Sequence, residues 1–306
     1  MHKLIRIGTR ESQLAVWQAT KVKELLEAEG FQSELVYIKS EGDIDLQTPL
    51  YEMGVQGIFT RALDVALLNK RIDLAVHSMK DVPIQLPVGI QQAAVLERGP
   101  VWDLLVYKES GVKRQESDDF VVATSSIRRK AQWLHKYPHH TIENLRGNVN
   151  TRLKKLQDEN WDAAIFAQAG LERIGLRPKA SMVLDWMLPA PAQGAIIVVC
   201  RNDDQQSFNA CAALNHKETA ICTKIERDFL KALLGGCSTP ISALAEINDN
   251  EIFFRANIFS VDGKEKVEIE KTIAIEALNE LGKQAAIEIL ENGGKAIAES
   301  IRYAER

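Results

Sequence analysis

The segment that decides the fold is Ile5–Ser12, which reads Ile-Arg-Ile-Gly-Thr-Arg-Glu-Ser. Its first half has the apolar character of a strand, and its second half is a turn rich in hydroxyl and arginine side chains. A helix is predicted from about Ser12 to Glu29, because apolar residues recur there at helical spacing and Gly30 can end it. Strand, turn and helix in this order are typical of an α/β domain.

The same arrangement returns further along the chain. Phe120–Thr124 is an apolar strand, Ser125 and Ser126 form the turn, and a helix is predicted from about Ile127. Alternation of strands with helices predicts a parallel sheet with helices on its faces. The sequence therefore predicts two α/β domains that use one arrangement twice.

The last third of the chain has a different pattern. Alternating apolar and polar residues within 241–246, 252–259 and 267–275 predict a small antiparallel sheet. The Pro/Gly-rich segment Leu188–Gly194 precedes an apolar strand, Ala195–Cys200, and suits a crossing between two domains. We expect three domains, namely residues 1–96 with about 197–216, residues 97–196, and residues 217–306.

Bulk properties limit the class of protein. At 306 residues the chain exceeds the usual size of one hydrophobic core, and its net charge of -4 does not attract anions in general. It shows neither a secretory segment nor a run of the roughly 20 apolar residues that would span a bilayer. The four cysteines lack the spacing of a zinc site or a disulfide framework. We expect a soluble cytoplasmic protein without a metal, a membrane partner or a nucleic-acid partner.

Cys237 lies in a turn that reads Gly-Gly-Cys-Ser-Thr-Pro over 235–240 and follows an amphipathic helix. The two glycines can stop the helix and Pro240 prevents it from resuming, so the cysteine is predicted on a loop. A lone cysteine is more often a small buried apolar residue than a reactive one. From the residues alone, burial and a role as nucleophile or covalent attachment point both stay open.

Cationic and hydroxyl side chains follow several of the predicted strands. They are Arg10, Ser12, Ser78, Lys80, Thr124, Ser125, Ser126, Arg128, Arg129, Arg146 and Arg152. Ligands of open α/β sheets bind beyond the carboxyl ends of the strands, where helix N-termini and arginines suit carboxylates or phosphates. Neither glycine-rich phosphate-loop motif occurs, so a polycarboxylate is favoured over a nucleotide.

Asp81 is the carboxylate that stands out in this cationic group. Neighbouring positive charge should keep it ionised, so that it could accept N–H donors or stabilise a developing cation. A local charge balance with Lys80 is the alternative, and spacing alone favours it. His77 is interpreted as a structural histidine whose side chain is hydrogen-bonded, because a Ser–His pair adjacent in sequence is no evidence of a catalytic triad.

Several motifs occur in the order in which they occur in the porphobilinogen deaminase (hydroxymethylbilane synthase) family. The motifs are Gly8–Ser12, Val76–Pro83, Thr124–Arg129, Leu145–Val149, Ala169–Leu171, Gln193–Ala195 and the segment around Cys237. The chain resembles this family over roughly residues 4 to 245, and the segments HSMKDVP and GGCSTP are the most specific.

The resemblance implies an α/β fold with two type II periplasmic-binding-protein-like domains around a cleft, plus a smaller α+β domain with an antiparallel sheet. It implies an enzyme that joins four porphobilinogen units head to tail with release of ammonia. Hydrolysis then gives linear hydroxymethylbilane, a precursor of haem and related tetrapyrroles. It also implies a dipyrromethane cofactor held by a thioether to Cys237, with porphobilinogen as substrate and a monomeric protein.

The resemblance also implies roles for individual residues. Asp81 would be the catalytic residue and would also hold the cofactor. The implied cofactor-binding residues are Cys237, Lys80, Thr124, Ser125, Ser126, Arg128 and Arg129. The implied substrate-binding residues are Arg10, Ser12, Ser78, Arg146, Arg152, Ala169, Gly170, Gln193 and Gly194.

The chain departs from the family pattern at a few positions. Glu52 and Gln56 replace lysines, and Gly99–Asp103 lacks an acidic residue and an arginine that are common there. Ala192 precedes Gln193 where glycine is more typical. These departures concern the cleft-covering loop and the ease of chain elongation, and they leave the reaction class unchanged.

Two other functions compete with this interpretation. A non-catalytic anion-binding protein would also use helix starts and arginines at strand ends. A cysteine hydrolase would need a histidine beside Cys237, and the sequence offers none with a convincing relation to it.

Overall fold

The computed structural model describes residues 4–39, 60–108, 117, 119–233 and 239–304. These residues form two compact units. Unit 1 comprises the described residues up to Gly99 together with Gly194–Ile221, and unit 2 comprises the described residues of Pro100–Gln193 and Cys222–Arg306. The chain therefore enters unit 2 after Gly99 and returns to unit 1 at Gly194.

Strands and helices alternate through both units. From the N-terminus to residue 123 they are β1 (Ile5–Thr9), α1 (Gln13–Ala28), β2 (Ser33–Tyr37), α2 (Arg61–Leu68), β3 (Leu74–Ser78), β4 (Ile90–Val95), β5 (Asp103–Tyr107) and β6 (Val121–Ala123). From residue 127 to residue 210 they are α3 (Ile127–Lys136), β7 (Thr141–Glu143), α4 (Val149–Asp158), β8 (Ala163–Ala167), α5 (Gln168–Arg173), β9 (Ser181–Leu184), β10 (Ile196–Arg201) and α6 (Gln205–Ala210). The C-terminal elements are α7 (Lys217–Leu233), β11 (Ile241–Asn248), β12 (Glu251–Phe259), β13 (Lys266–Ala274), α8 (Leu281–Ile289) and α9 (Lys295–Ala304).

Unit 1 contains a five-stranded sheet in the order β2-β1-β3-β10-β4. Strand β1 pairs in parallel with β2 and β3, whereas β10 runs antiparallel to β3 and β4. Because Ile196 lies opposite Ser78, the start of β10 and the carboxyl ends of β1 and β3 share one edge of the sheet. This edge is the place where the sequence predicts ligand-binding side chains.

Unit 2 contains a second five-stranded sheet in the order β7-β6-β8-β5-β9. Strand β6 pairs in parallel with β7 and β8, and β5 runs antiparallel to β8 and β9. The two sheets therefore have equivalent strand orders. In each, the fourth strand is the one that directly follows a passage of the chain from one unit to the other, namely β10 in unit 1 and β5 in unit 2. This arrangement confirms the predicted α/β class and agrees with the expected type II domains.

The predicted parallel sheets are in fact mixed. Strand β10 follows the return of the chain to unit 1, and β5 follows its entry into unit 2, so neither is placed by a strand–helix–strand crossover. Consecutive strands can pair in parallel only when a crossover connection joins them. A strand that enters the sheet from the other unit has no such connection and can run antiparallel. Alternation of strands and helices could not reveal this reversal.

Strand β8 illustrates how the second sheet is buried on both faces. Ala163 and Ile165 belong to one buried apolar cluster, while Ala164 and Phe166 belong to another on the opposite face. A strand covered on both sides is apolar at every position, which explains the uninterrupted sequence Ala-Ala-Ile-Phe-Ala.

The C-terminal residues of unit 2 form a separate three-stranded antiparallel sheet, in the order β11-β12-β13, as the alternating pattern predicts. Phe229 of α7 packs edge-on against Phe254 of β12, with ring centroids 5.6 Å apart. Helix α8 crosses α7 closely at Gly282, where a Cβ atom would lie 2.2 Å from the carbonyl oxygen of Ile225. The glycine is thus required for this helix contact.

Glu226 of α7 is fully buried and joins the C-terminal sheet to the rest of unit 2. Its Oε2 accepts a hydrogen bond of 2.6 Å from the backbone N–H of Ala192, and its Oε1 accepts one of 2.8 Å from the N–H of Ala245 in β11. Gln132 of α3 makes a second connection of this kind, because its Nε2 donates to Ser242 Oγ and to the carbonyl of Leu188. Buried side chains that bond backbone groups in this way fix the relative position of the segments they join.

We predict that Glu226→Gln destabilises the protein by about 2 kcal/mol, because one backbone N–H would then face an amide N–H instead of an oxygen. The measurement is the midpoint of urea unfolding. Asp228→Asn on the same helix is the control, since Asp228 forms a surface ion pair with the exposed Lys224 and its replacement should change stability by less than about 0.5 kcal/mol. Equal midpoints for the two variants would contradict the role assigned to Glu226.

Candidate functional site

The carboxyl edge of the unit 1 sheet holds one group of the predicted site residues. Arg10 directly follows β1, and Ser12 caps α1 by accepting a 3.4 Å hydrogen bond from the backbone N–H of Ala15. Serine at this position satisfies one of the unpaired N–H groups of the first helical turn. The remaining N–H groups of that turn and the Arg10 guanidinium give this end of the sheet a positive potential.

Strand β3 supplies the other residues of this edge. Ser78 ends the strand, and its Oγ accepts a 2.8 Å hydrogen bond from Nε2 of Gln18 in α1. A short 3₁₀ turn, Met79–Asp81, follows and leaves Lys80 partly exposed and Asp81 exposed. We call the group Arg10, Ser12, Ser78, Lys80 and Asp81 the Asp81 edge.

His77 is buried in β3 next to this edge, and the prediction that its side chain is hydrogen-bonded is wrong at one ring nitrogen. Its Nε2 has no hydrogen-bond partner among the residues that the structure describes. Burial, the larger cause, and the positive charge of Arg10 together lower the pKa of His77 from 6.5 to about 3. The ring is therefore neutral at physiological pH and adds no charge to the Asp81 edge.

The carboxyl edge of the unit 2 sheet begins with three hydroxyl residues that build the turn after β6. Thr124 Oγ1 accepts from the N–H of Ser126, and Ser125 Oγ donates a 2.6 Å hydrogen bond to the carbonyl of Leu145. Ser126 caps α3, its Oγ lying 3.5 Å from the N–H of Arg129. These hydroxyls organise the turn that leads into α3.

Arg128 and Arg129 lie in the first turn of α3 and are almost completely buried, with 4% and 5% of their surface exposed. Both guanidinium groups bind Asp103, the first residue of β5. Arg128 Nη2 lies 2.6 Å from Oδ2, and Arg129 Nη2 lies 2.7 Å from Oδ1. Burial lowers the pKa of Arg128, Asp103 raises it, and Arg129 lowers it.

Both guanidinium groups also bind backbone carbonyls. Arg128 Nη1 donates to Leu188 at 2.7 Å, and Arg129 Nη1 donates to Ile165 at 3.0 Å. The Nε atom of each arginine is buried and has no hydrogen-bond partner among the described residues. Two buried cations thus share one buried carboxylate, and each keeps an N–H donor that needs an acceptor.

The other predicted residues of unit 2 lie at the same edge. Arg146 is buried directly after β7, and Arg152 of α4 donates from Nε to the carbonyl of Gly147 at 2.7 Å. Ala169 and Gly170 are buried in α5, which follows β8. We call the residues Thr124, Ser125, Ser126, Arg128, Arg129, Arg146, Arg152, Ala169 and Gly170 the Arg129 edge.

Gln193 and Gly194 stand where the chain returns to unit 1. Gln193 is buried, and its Nε2 donates to the carbonyl of Val101 at 2.7 Å and to Asp103 Oδ1 at 2.9 Å. Gly194 has a φ of 85°, and its carbonyl accepts from the N–H of Gly99 at 3.1 Å. In the residues described here, Gln193 therefore contacts the arginine cluster through Asp103.

One residue with an evident role at the Arg129 edge was not predicted from the sequence. Asp103 holds both buried arginines, yet in the sequence it is only a single carboxylate before an apolar strand. Arg173 ends α5, where burial lowers its pKa to about 10, so it stays charged at neutral pH.

Sequence models of two domains from one family match the chain. "Porphobilinogen deaminase, dipyromethane cofactor binding domain" matches residues 5–209, and "Porphobilinogen deaminase, C-terminal domain" matches residues 220–291. The chain belongs to the porphobilinogen deaminase family. Porphobilinogen deaminases are hydroxymethylbilane synthases, which are transferases of tetrapyrrole biosynthesis that use a dipyrromethane cofactor.

The chain is also similar to solved structures of low sequence identity. The Bordetella pertussis BvgS periplasmic VFT2 domain is 14% identical over 72% of this chain and 91% of its own, with a TM-score of 0.43. The methionine binding protein MetQ is 15% identical over 68% of this chain and 89% of its own, with a TM-score of 0.43. The L-cystine solute receptor of Neisseria gonorrhoeae is 13% identical over 71% and 87%, with a TM-score of 0.39.

The cysteines divide into one outside the described residues and three within them. Cys237 lies outside, as do the departures from the family at Glu52 and Gln56. Cys200, Cys211 and Cys222 are buried. Burial raises the pKa of Cys200 to about 11 and that of Cys211 to about 12, so these two are not reactive thiolates at neutral pH.

Ala192 has a left-handed backbone with a φ of 62°. An L-residue in this region costs about 1 kcal/mol relative to glycine. The hydrogen bond from its N–H to Glu226 holds the strained conformation.

The described part of the chain contains neither a membrane-crossing helix nor a cluster of metal-binding side chains. None of its helices combines the length and the apolar character needed to cross a membrane. Its histidine, cysteine and acidic side chains also form no cluster of three or more that could hold a metal ion.

We predict that His77 makes the protein sensitive to acid. Its folded pKa lies below its ordinary value, so the unfolded chain binds the proton more tightly between pH 6.5 and about 3. Stability should therefore fall with pH in this window, by about 2 kcal/mol between pH 7 and pH 5 from this group alone.

The check is the free energy of unfolding of wild type and His77→Gln at pH 7 and pH 5. His77→Gln should lose less stability on acidification, while His139→Gln, at an exposed loop position, should behave like wild type. An identical loss in wild type and His77→Gln would contradict the predicted proton linkage.

Proposed function

We propose that the Arg129 edge holds the carboxylates of the dipyrromethane and of the growing pyrrole chain. The observation that carries this proposal is the pair of buried guanidinium groups of Arg128 and Arg129, which share the single carboxylate of Asp103. A buried charge without a counterion costs several kcal/mol. A carboxylate ligand would supply a second negative charge beside these two cations and so reduce this cost.

The donor set of this edge fits the cofactor. Each pyrrole of a dipyrromethane carries an acetate and a propionate, so its ligand sites must supply several cationic donors. Arg146, Arg152 and Lys80 would bind further carboxylates, with Thr124, Ser125 and Ser126 assisting through their hydroxyls. When bound, the dipyrromethane supplies the primer end to which the first substrate unit is joined.

Cys237 is the proposed attachment point of the primer through a thioether. It tethers the chain and is not regenerated as a free nucleophile in each round. Covalent tethering makes every condensation effectively intramolecular on the primer side. The neighbouring Gly235 and Gly236 lack side chains that would obstruct a bulky group on the adjacent residue.

Asp81 is the proposed catalytic residue. Its exposed carboxylate would accept hydrogen bonds from pyrrole N–H groups and stabilise the positive charge that develops on the substrate as ammonia leaves. A fixed carboxylate aimed at a developing cation lowers the barrier without reorganisation during the reaction. Arg10, Ser12, Ser78, Ala169, Gly170, Gln193 and Gly194 are the remaining proposed substrate-binding residues.

Three broader features belong to the same proposal. The chain acts on free porphobilinogen as a monomer in the cytoplasm, without a nucleic-acid partner. Its cysteines support this location, since they lack the pattern of a disulfide framework. The C-terminal sheet with its helices is a third domain, beginning near residue 217, and it carries the cofactor cysteine.

We predict that purified protein is heavier than its polypeptide by one dipyrromethane and that Cys237→Ala removes both this mass and the activity. Alanine offers no atom for a thioether, so the primer cannot be attached. The measurement is intact mass under denaturing conditions, together with the rate of hydroxymethylbilane formation. Cys211→Ala is the control, because Cys211 is buried and should leave the added mass unchanged.

Two results would sink the proposed attachment. One is an added mass that persists in Cys237→Ala, and the other is full activity in a wild-type protein of unmodified mass. Peptide mapping of the modified protein would then identify the true attachment residue or show that there is none.

A further inference from the structure

Asp103 stands at the carboxyl edge of the unit 2 sheet because of its antiparallel strand. It is the first residue of β5 and lies opposite Ala167, the last residue of β8, in the pairing of the two strands. None of its surface is exposed. Its position is therefore fixed by the sheet itself and not by a loop.

The carboxylate of Asp103 binds three side chains from two segments of the chain. Oδ2 accepts from Arg128, and Oδ1 accepts both from Arg129 and from the Gln193 carboxamide at 2.9 Å. Gln193 is held in turn by the carbonyl of Val101, two residues before Asp103. The carboxylate thus fixes both guanidinium groups and the segment Pro189–Gln193.

The bonds from Asp103 leave a defined set of donors unused. Each arginine has one Nη atom on Asp103 and the other on a backbone carbonyl, so neither guanidinium group can turn. The Nε–H of each arginine remains without an acceptor among the described residues. Donors held in this way are already oriented before a ligand arrives, which reduces the entropy lost on binding.

Asp103 also sets the charge of the cluster. Two guanidinium groups and one carboxylate leave a net charge of about +1, whereas the arginines alone would repel each other in a buried environment. The cluster is therefore stable enough to form and still attracts one carboxylate.

We propose that Asp103 is a positioning residue for cofactor loading, which orients Arg128 and Arg129 so that they can bind a carboxylate of the dipyrromethane. This inference rests on the proposed function, since it assumes that these arginines hold the cofactor. Asp103 touches neither substrate nor cofactor. Its removal should therefore reduce the fraction of protein that acquires the cofactor more than the turnover of protein that has acquired it.

The test compares Asp103→Asn with Asp73→Asn. Asp73 is a matched control, because it is also fully buried between two arginines and binds Arg6 with two hydrogen bonds of 2.9 Å, while Arg201 lies 3.6 Å away. It precedes β3 and so lies at the opposite end of its strand from the Asp81 edge. Loss of buried charge is the same in both variants, and only Asp103→Asn disturbs the Arg129 edge.

The readouts are the loaded fraction by intact mass, the thermal midpoint, and kcat per loaded molecule. Asn has one oxygen and one N–H₂ group, so at least one arginine loses its charge-assisted bond. We expect roughly tenfold less loaded protein for Asp103→Asn, the effect of losing about 1.4 kcal/mol of binding. We expect Asp73→Asn to be fully loaded at a thermal midpoint similar to that of Asp103→Asn, with kcat per loaded molecule within about twofold of wild type.

Full loading of Asp103→Asn would overturn the inference, as would equal loss of loading in Asp73→Asn. Asp103→Glu covers the case in which Asp103→Asn does not fold, because it keeps the charge but moves the carboxylate by one methylene. Poor loading of folded Asp103→Glu supports a positioning role, and full loading refutes it. If wild type itself carries no dipyrromethane, the proposed function fails independently of these variants.

Discussion

The buried ion cluster of Asp103, Arg128 and Arg129 is the interaction on which the unit 2 site depends. Burying two arginines is costly, and here it is offset by one buried carboxylate and by backbone carbonyls that accept from the Nη atoms. The cluster keeps a net positive charge and unused Nε–H donors. The remaining positive charge is the property that the proposed binding of a carboxylate uses.

The exchange of strands between units makes this cluster possible. Asp103 reaches the carboxyl edge because β5 runs antiparallel to its neighbours, so that its first residue lies where the parallel strands end. The corresponding strand of unit 1 is β10, which begins at Ile196, two residues after Gly194. In each sheet the same reversal brings a crossing segment to the carboxyl edge of the parallel strands.

Much of the fold could be predicted from local patterns. The repeated strand–turn–helix arrangement identified the α/β class, and alternation identified the C-terminal antiparallel sheet. The antiparallel direction of β5 and β10 could not be predicted, because it depends on where the chain comes from and not on the residues of the strand. The three-domain boundaries stay a prediction.

The candidate site was predicted chiefly from sequence motifs. Motifs do not show contacts between residues that are distant in the sequence. Arg10, Asp81, Arg128 and Arg129 lie in segments with recognisable order. Asp103 was missed because its partners are distant in sequence, and His77 was misjudged because hydrogen bonding of a buried ring depends on tertiary neighbours. The left-handed backbone at Ala192 likewise follows from its bond to Glu226 and not from its own residue type.

The most direct test of the account is the intact mass of the protein after brief mixing with limiting porphobilinogen. The account predicts a ladder of species above the resting mass, each heavier by one porphobilinogen less ammonia. In Asp81→Asn the resting mass should be retained, because the primer is still tethered. The ladder should be absent, because the carboxylate that stabilises the positive charge formed as ammonia leaves is gone. Product formation without any ladder in wild type, or an undiminished ladder in Asp81→Asn, would contradict it.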